Sequence, residues 1–241
     1  MGSSRLRGTD VTLRVTPKLS GGQGAATTIM RASVASEAKS QSDVRTAGLL
    51  YVLSGTVMFL AISLAEALYP GYSVHTNAIS DLAATTANTS GLVEAAGLVW
   101  GLGWLAGSYL LLRDTGRRGL MVLFLLPGIG VLLAIGSPEN VNVAIHSVGA
   151  VVAFVPGGIV LIFSSRLIRS NLKYLALALG ALSLVGVIVE FGGYYSPLVQ
   201  TTLGPGGAER IIVYPLLAWL MSFGGYLSGN AAGEKVGPGP A

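Results

Sequence analysis

The sequence predicts an all-α polytopic membrane protein, built as a bundle of six transmembrane helices. Its 241 residues are 51% hydrophobic and only 11% charged, whereas a soluble domain usually carries about 25% charged residues. The apolar residues form six continuous runs instead of alternating segments, and this pattern favours helices over a β-barrel. The same composition excludes a disordered chain, because disorder requires low hydrophobicity and high charge.

The lengths of the six apolar runs set the predicted spans. A helix rises about 1.5 Å per residue, so about 20 residues cross a hydrocarbon core of about 30 Å. The third run contains Pro127 and is at the short limit for a span. The predicted spans are residues 46–68, 91–112, 119–135, 141–164, 172–191 and 211–227. We therefore expect a transmembrane domain over 46–227, with flexible cytoplasmic tails over 1–45 and 228–241.

The basic residues are distributed unevenly between the two sides of this predicted bundle. Every lysine and arginine except Arg210 lies in or beside four stretches: the two tails and the connections after spans two and four. Basic connections stay in the cytoplasm during insertion. The sequence therefore predicts a multi-pass protein of the cell membrane with both termini cytoplasmic.

The acidic and histidine side chains show the opposite distribution. Both histidines of the chain and several of its acids lie near the predicted outer face. An ionisable side chain below the membrane interface is costly unless it faces a cavity or a partner. We therefore expect a polar pocket near the outer leaflet, although a wetted rim of unrelated helix ends is the alternative. The candidate pocket residues are Glu66, Glu94, Glu139, Glu190, Glu209 and Arg210.

Four residues near this face are candidates for catalysis: His146, Asp81, Ser80 and His75. A histidine can act as a general base or metal ligand that a carboxylate orients, and a serine beside it can act as a nucleophile. Two histidines and a carboxylate also match the ligand number of a catalytic zinc. The sequence contains no HExxH or Gly-x-Ser-x-Gly motif, so the metal and any cofactor stay undefined.

Structural roles compete with these catalytic ones. Asn77 is expected to cap a short helix that starts near Ala78, and Asp81 in its first turn would then favour the helix dipole. His146 on an apolar helix also fits a buried neutral imidazole with one hydrogen-bond partner.

Three polar stretches on the outer side form a combination of motifs. They are residues 69–72 (YPGY) with 79–82 (ISDL), residues 138–139 (PE) with 146–150 (HSVGA), and residues 209–215 (ERIIVYP). Together they resemble a prokaryotic six-span family known as domain of unknown function nine-nine-eight, over about residues 47–227. The resemblance implies the six-span fold and carries no activity.

A more distant resemblance concerns the ISDL connection followed by the His-x-x-Gly-Ala helix. This pair is similar to the FRAG/DRAM/Sfk group, some of whose members are linked to remodelling of lipid anchors. The similarity implicates Ser80, Asp81 and His146.

Three functions remain open from the sequence. The first is a lipid hydrolase or transferase at the outer leaflet, the second a small proton-coupled transporter, and the third a non-catalytic accessory subunit of a membrane complex. The expected partners are membrane lipids, and no nucleic-acid module is present.

Small residues in span two bear on the oligomeric state. Gly97 with Gly101, and Gly103 with Gly107, have the spacing that allows helix backbones to approach closely. These glycine pairs allow close helix contact either between the chains of a homo-oligomer or between helices inside one bundle.

The predicted topology is tested by epitope tags at both termini. We expect each tag to be protected from antibody in intact cells and to be labelled after permeabilisation, because the basic segments hold both ends in the cytoplasm. A terminal tag that is labelled in intact cells would contradict this orientation.

Overall fold

The computed structural model describes residues 22–193 and 196–233, and this part of the chain contains helices and no strand. Six helices are long and apolar enough to cross a membrane, so the all-α, six-span prediction is confirmed. The elements are α1 (Gly22–Leu68), a 3₁₀ helix (Ser80–Ala83), α2 (Ser90–Leu112), α3 (Arg118–Ile135), α4 (Val143–Ser164), α5 (Leu172–Gly193), α6 (Pro197–Thr202) and α7 (Gly204–Gly233).

The flexible cytoplasmic tails stay a prediction. Residues 1–21 and 234–241 lie outside the described residues, but residues 22–45 are helical and continue into the first span. This stretch contains no proline, and extending an existing helix costs less than nucleating a new one. By their contacts the described residues form two units, divided between Ser40 and Gln41, and every contact described below lies within the second unit.

The last span begins earlier than its apolar run indicates. The sequence predicts a start at Ile211, whereas α7 starts at Gly204 and includes Glu209 and Arg210. Pro205 is tolerated there because the first turn of a helix has no intrahelical partner for its N–H groups. Two charged residues therefore lie inside a transmembrane helix, where each needs a partner.

The bundle has an aromatic core that joins α1, α2 and α7. Tyr51, Trp104, Trp219 and Phe223 are fully buried, and the rings of Trp219 and Phe223 stack with centroids 4.9 Å apart. The polar atoms of these rings are satisfied: Trp104 Nε1 donates to the Phe124 carbonyl at 2.9 Å, and the Tyr51 hydroxyl lies 2.8 Å from Ser108 Oγ. Buried polar groups of this kind stabilise one arrangement of the helices.

Close packing in the bundle uses the small residues of span two. A Cβ atom on Gly103 or Gly107 would meet α1, and one on Gly97 or Gly101 would meet α3. Both predicted pairs therefore pack inside one chain. A homo-oligomer through the same surface stays a prediction.

Two adjacent glycines in α7 provide a matched test of this packing. A Cβ on Gly224 would lie 2.5 Å from the Gly48 carbonyl oxygen, whereas one on Gly225 would have no atom within 4 Å. We expect Gly224→Ala to destabilise the protein by about 1–3 kcal/mol through overpacking. Gly225→Ala should be neutral or slightly stabilising, because alanine is the better helix former.

The measurement is thermal unfolding of both variants in the same detergent, monitored by circular dichroism. Equal melting temperatures for the two variants would contradict the close approach of α1 and α7.

Candidate functional site

Most of the candidate residues lie at one end of the bundle, here called the Ser80 end, where α1 ends and α2 begins. The opposite end carries the α2–α3 and α4–α5 connections and is here called the Arg113 end. The Ser80 end is built from the α1–α2 connection, the α3–α4 connection and the first turns of α7. Its polar side chains form two groups, a buried ion-pair cluster and a cleft.

Arg210 is the centre of the ion-pair cluster. It is only 7% exposed, and Nη2 donates to Glu66 Oε1 and to the Tyr72 hydroxyl, each at 2.6 Å. Nη1 donates to the Gly206 carbonyl at 2.7 Å and to the Asn77 carbonyl at 3.3 Å. The guanidinium therefore joins α7, the end of α1 and the connection that follows α1.

Tyr72 completes this cluster from the α1–α2 connection. Its hydroxyl donates to the Ala78 carbonyl at 2.9 Å while accepting from Arg210. Burial raises the pKa of Tyr72 to about 12, so the hydroxyl keeps its proton, and its role as donor, through the physiological range.

The side chain of Glu209, the neighbour of Arg210, binds the backbone of the same α1–α2 connection. Its Oε2 atom accepts the N–H group of Ile79 and, at 3.3 Å, that of Ser80. These N–H groups lie at the start of the 3₁₀ helix, where they have no partner within the helix. Glu209 thereby fixes the position of Ser80.

The α1–α2 connection also contacts the α3–α4 connection. Ser80 Oγ donates to Glu139 Oε2 at 2.6 Å. Asn140 donates from Nδ2 to Thr85 Oγ1 at 2.7 Å and accepts the Thr85 N–H at 3.1 Å. Two segments about 55 residues apart in the chain are thus joined by paired polar contacts.

His146 lies in the first turn of α4, which Asn142 caps by accepting the Ile145 N–H at 3.1 Å. Its Nδ1 atom is 3.0 Å from the Ala134 carbonyl oxygen and 3.2 Å from that of Ser137. Because both neighbours are acceptors, Nδ1 carries the proton in the neutral ring, and Nε2 keeps its lone pair. This is the arrangement that a general base requires.

Two adjoining cavities at the Ser80 end form a single cleft. The first, of about 210 Å³, is polar and is lined by Ser80, Asp81, Glu139, His146, Glu190 and Glu209, among others. The second, of about 70 Å³, is mainly apolar and includes Met58, Trp100 and Val131. Ser80, His146 and Glu209 line both. The cleft therefore has a polar mouth and an apolar inner part, with His146 at their junction.

The cleft brings together six of the residues predicted from the sequence, and four lie elsewhere. Glu66 and Arg210 belong to the ion-pair cluster. His75 and Glu94 line neither cavity. His75 is exposed, and only its backbone contributes, accepting the Gly206 N–H at 3.3 Å.

Asp81 lies on the polar cavity but has a structural partner set. Its Oδ2 accepts the Ala78 N–H at 3.0 Å and Asn77 Nδ2 at 3.1 Å. The expected cap by Asn77 is not formed; its Oδ1 instead accepts the Ser73 N–H at 3.1 Å. The first-turn position predicted for Asp81 is confirmed.

A metal ion in a protein is held by several side-chain donors that converge on one point. Within residues 22–193 and 196–233, no three His, Asp or Glu side chains converge closely enough to hold one. One carboxylate oxygen in the cleft, Glu190 Oε2, is buried and has no hydrogen-bond partner in the part of the chain that the structure describes.

Comparison with known proteins gives one family. A family model described as "Protein of unknown function (DUF998)" matches residues 52–226. The match covers all the residues of the cleft and of the ion-pair cluster. The comparisons with curated proteins and with solved structures found no match.

The ion-pair cluster predicts a large effect of Arg210→Ala. Breaking a buried ion pair costs about 3–5 kcal/mol. Glu66 is 21% exposed and would keep the Tyr214 hydroxyl at 3.3 Å as a partner, so we expect a loss near the lower end of this range. Arg117→Ala is the matched control, since Arg117 is an exposed arginine at the opposite end. Unfolding in mixed micelles with increasing anionic detergent measures both variants. An equal loss of unfolding free energy in the two variants would contradict the stabilising role of the Arg210 ion pair.

Proposed function

Because the chain belongs to the DUF998 family, whose description assigns no activity, we propose a function from the geometry of the cleft. The protein is a lipid hydrolase or transferase whose substrate enters the cleft from the outer leaflet. The observation that carries this proposal is the joining of a polar mouth and an apolar inner part at His146. A lipid has the same two parts, and its reactive bonds lie where they meet.

The distribution of charge supports the outer orientation. Arg113, Arg117, Arg118, Arg166 and Arg169 lie at the Arg113 end, which the positive-inside rule places in the cytoplasm. The Ser80 end contributes Arg210, whose charge is balanced by Glu66. The cleft then faces the outer leaflet of the cell membrane.

His146 supplies the base for this chemistry. The oxygen of a water molecule, or of an acceptor alcohol in a transferase, bonds to the carbonyl carbon of an ester while its proton passes to Nε2. The ester carbon–oxygen bond then breaks, and the proton passes from Nε2 to the leaving alkoxide. The carbonyls of Ala134 and Ser137 keep the ring oriented and stabilise its charged form.

The region below the cleft favours this function over a transporter. A proton-coupled transporter requires a polar path to the opposite face. Towards the Arg113 end, the described bundle is instead filled by the buried rings of Tyr51, Trp104, Trp219 and Phe223. This packing supports a site with access from one side, and no contact in the cleft favours an accessory role.

His146→Gln tests the chemistry. Removing a general base lowers a rate by about 10²–10⁴-fold, so we expect cells that overproduce this variant to lose the lipid changes caused by the unaltered protein. The measurement is the lipid profile of the host by mass spectrometry, at matched levels of folded protein in the membrane.

His75→Gln is the control, because His75 is the second histidine of the chain and lines neither cavity. The proposal fails if the profile given by His146→Gln equals that of the unaltered protein, or if His75→Gln has the same effect.

A further inference from the structure

The polar mouth of the cleft is lined by carboxyl groups and one imidazole, with no lysine or arginine among the described lining residues. Its ionisable side chains, in the part of the chain that the structure describes, are Asp81, Glu139, Glu190 and Glu209, together with His146. Arg210 is close in sequence but is not among the lining residues, and its guanidinium is committed to Glu66, Tyr72 and backbone carbonyls. A phosphate at this position would meet carboxylates without a balancing arginine or lysine, which electrostatic complementarity disfavours.

The hydrogen bonds in the mouth show what kind of group is needed. Glu190 Oε2 is buried and has no hydrogen-bond partner among the described residues, and an unsatisfied buried acceptor is costly. In the described part of the chain, the hydrogen bonds to Glu139 and Glu209 reach only the Oε2 atom of each. The mouth therefore offers several acceptors to a ligand and calls for a donor with several N–H groups.

The apolar residues around these acceptors add to the selectivity. The rings of Phe154 and Phe191 also line the polar cavity, and aromatic rings attract a cation that lies near them. Phe154 continues into the inner cavity with Trp100, so a hydrocarbon chain attached to the cation would follow the same wall. A quaternary ammonium satisfies the charge and the rings but has no N–H to donate.

We infer that the cleft binds an amphiphile whose headgroup is a protonated primary amine without a phosphate, with the ammonium at Glu190 and the hydrocarbon chain against Trp100. This inference rests on the proposed function for its lipid site and adds the class of headgroup. It concerns binding alone, so its test is independent of turnover.

The experiment uses the purified full chain in micelles of a neutral maltoside detergent at pH 7. Dodecylamine with a brominated chain is titrated as a mole fraction of the micelle, and quenching of tryptophan fluorescence is followed. The same titration is made with brominated dodecyl phosphate and brominated dodecyltrimethylammonium. Trp100→Phe identifies the part of the signal that comes from the inner cavity.

We expect saturable quenching by the amine alone, which is lost in Trp100→Phe. Glu190→Gln keeps the shape of the side chain and removes the carboxylate that pairs with the ammonium, so the half-saturating mole fraction should rise at least about tenfold, as for loss of a charge-assisted hydrogen bond. Glu94→Gln is the matched control, because Glu94 lies at the same end outside both cavities, and it should leave the titration unchanged.

Two results would overturn the inference. One is quenching by the phosphate or the trimethylammonium compound at the same mole fraction as the amine or at a lower one. This comparison uses only the unaltered protein, so it does not depend on the folding of a variant. The other is an unchanged titration in folded Glu190→Gln. If the amine binds but the protein does not change the lipid profile of the host, the proposed chemistry is wrong and the headgroup class stands. If the protein changes the lipid profile but does not prefer the amine, the headgroup class is wrong and the proposed chemistry stands.

Discussion

The structure at the Ser80 end depends on two adjacent charged residues of α7. Arg210 pairs with Glu66 on α1 and holds the connection after it through Tyr72 and a backbone carbonyl. Glu209 accepts the N–H groups at the start of the 3₁₀ helix. A charge inside a transmembrane helix is costly without partners, and here the connection supplies those partners. The same contacts that satisfy α7 therefore fold the α1–α2 connection over the end of the bundle.

This fold of the connection creates the cleft. With Ser80 fixed by Glu209, its hydroxyl reaches Glu139 at 2.6 Å, and the α3–α4 connection is held beside it. The end of α3 and this second connection orient His146 through two carbonyls. Polar groups from five parts of the chain, namely the α1–α2 and α3–α4 connections, α4, α5 and α7, thus surround an opening whose floor is apolar. A ligand with a cationic head and a hydrocarbon chain matches this arrangement, whereas a soluble anion matches neither part.

The sequence predicts the spans well because the thickness of the hydrocarbon core fixes their length and composition. It fails at the start of α7, where Glu209 and Arg210 interrupt the apolar run but stay helical because they are paired. His146 is prominent in the sequence as a polar residue on an apolar helix, and it lies in the cleft. Glu94 and His75 have the same residue types and are predicted at the same outer face, yet they line neither cavity. Hydropathy does not show which neighbour a side chain faces, and this depends on the packing of distant helices.

The convergence of the connections is tested most directly by a cysteine cross-link, since the chain has no cysteine of its own. Thr85 and Asn140 touch through their side chains at 2.7 Å, so Thr85→Cys with Asn140→Cys should oxidise to an intramolecular disulfide in native membranes. Thr85→Cys with Asp114→Cys, which places the second thiol at the Arg113 end, should not. We expect a high yield of disulfide for the first pair, and a lower yield when Glu209→Gln is added. A yield for the first pair no higher than that of the second would contradict the convergence of the two connections.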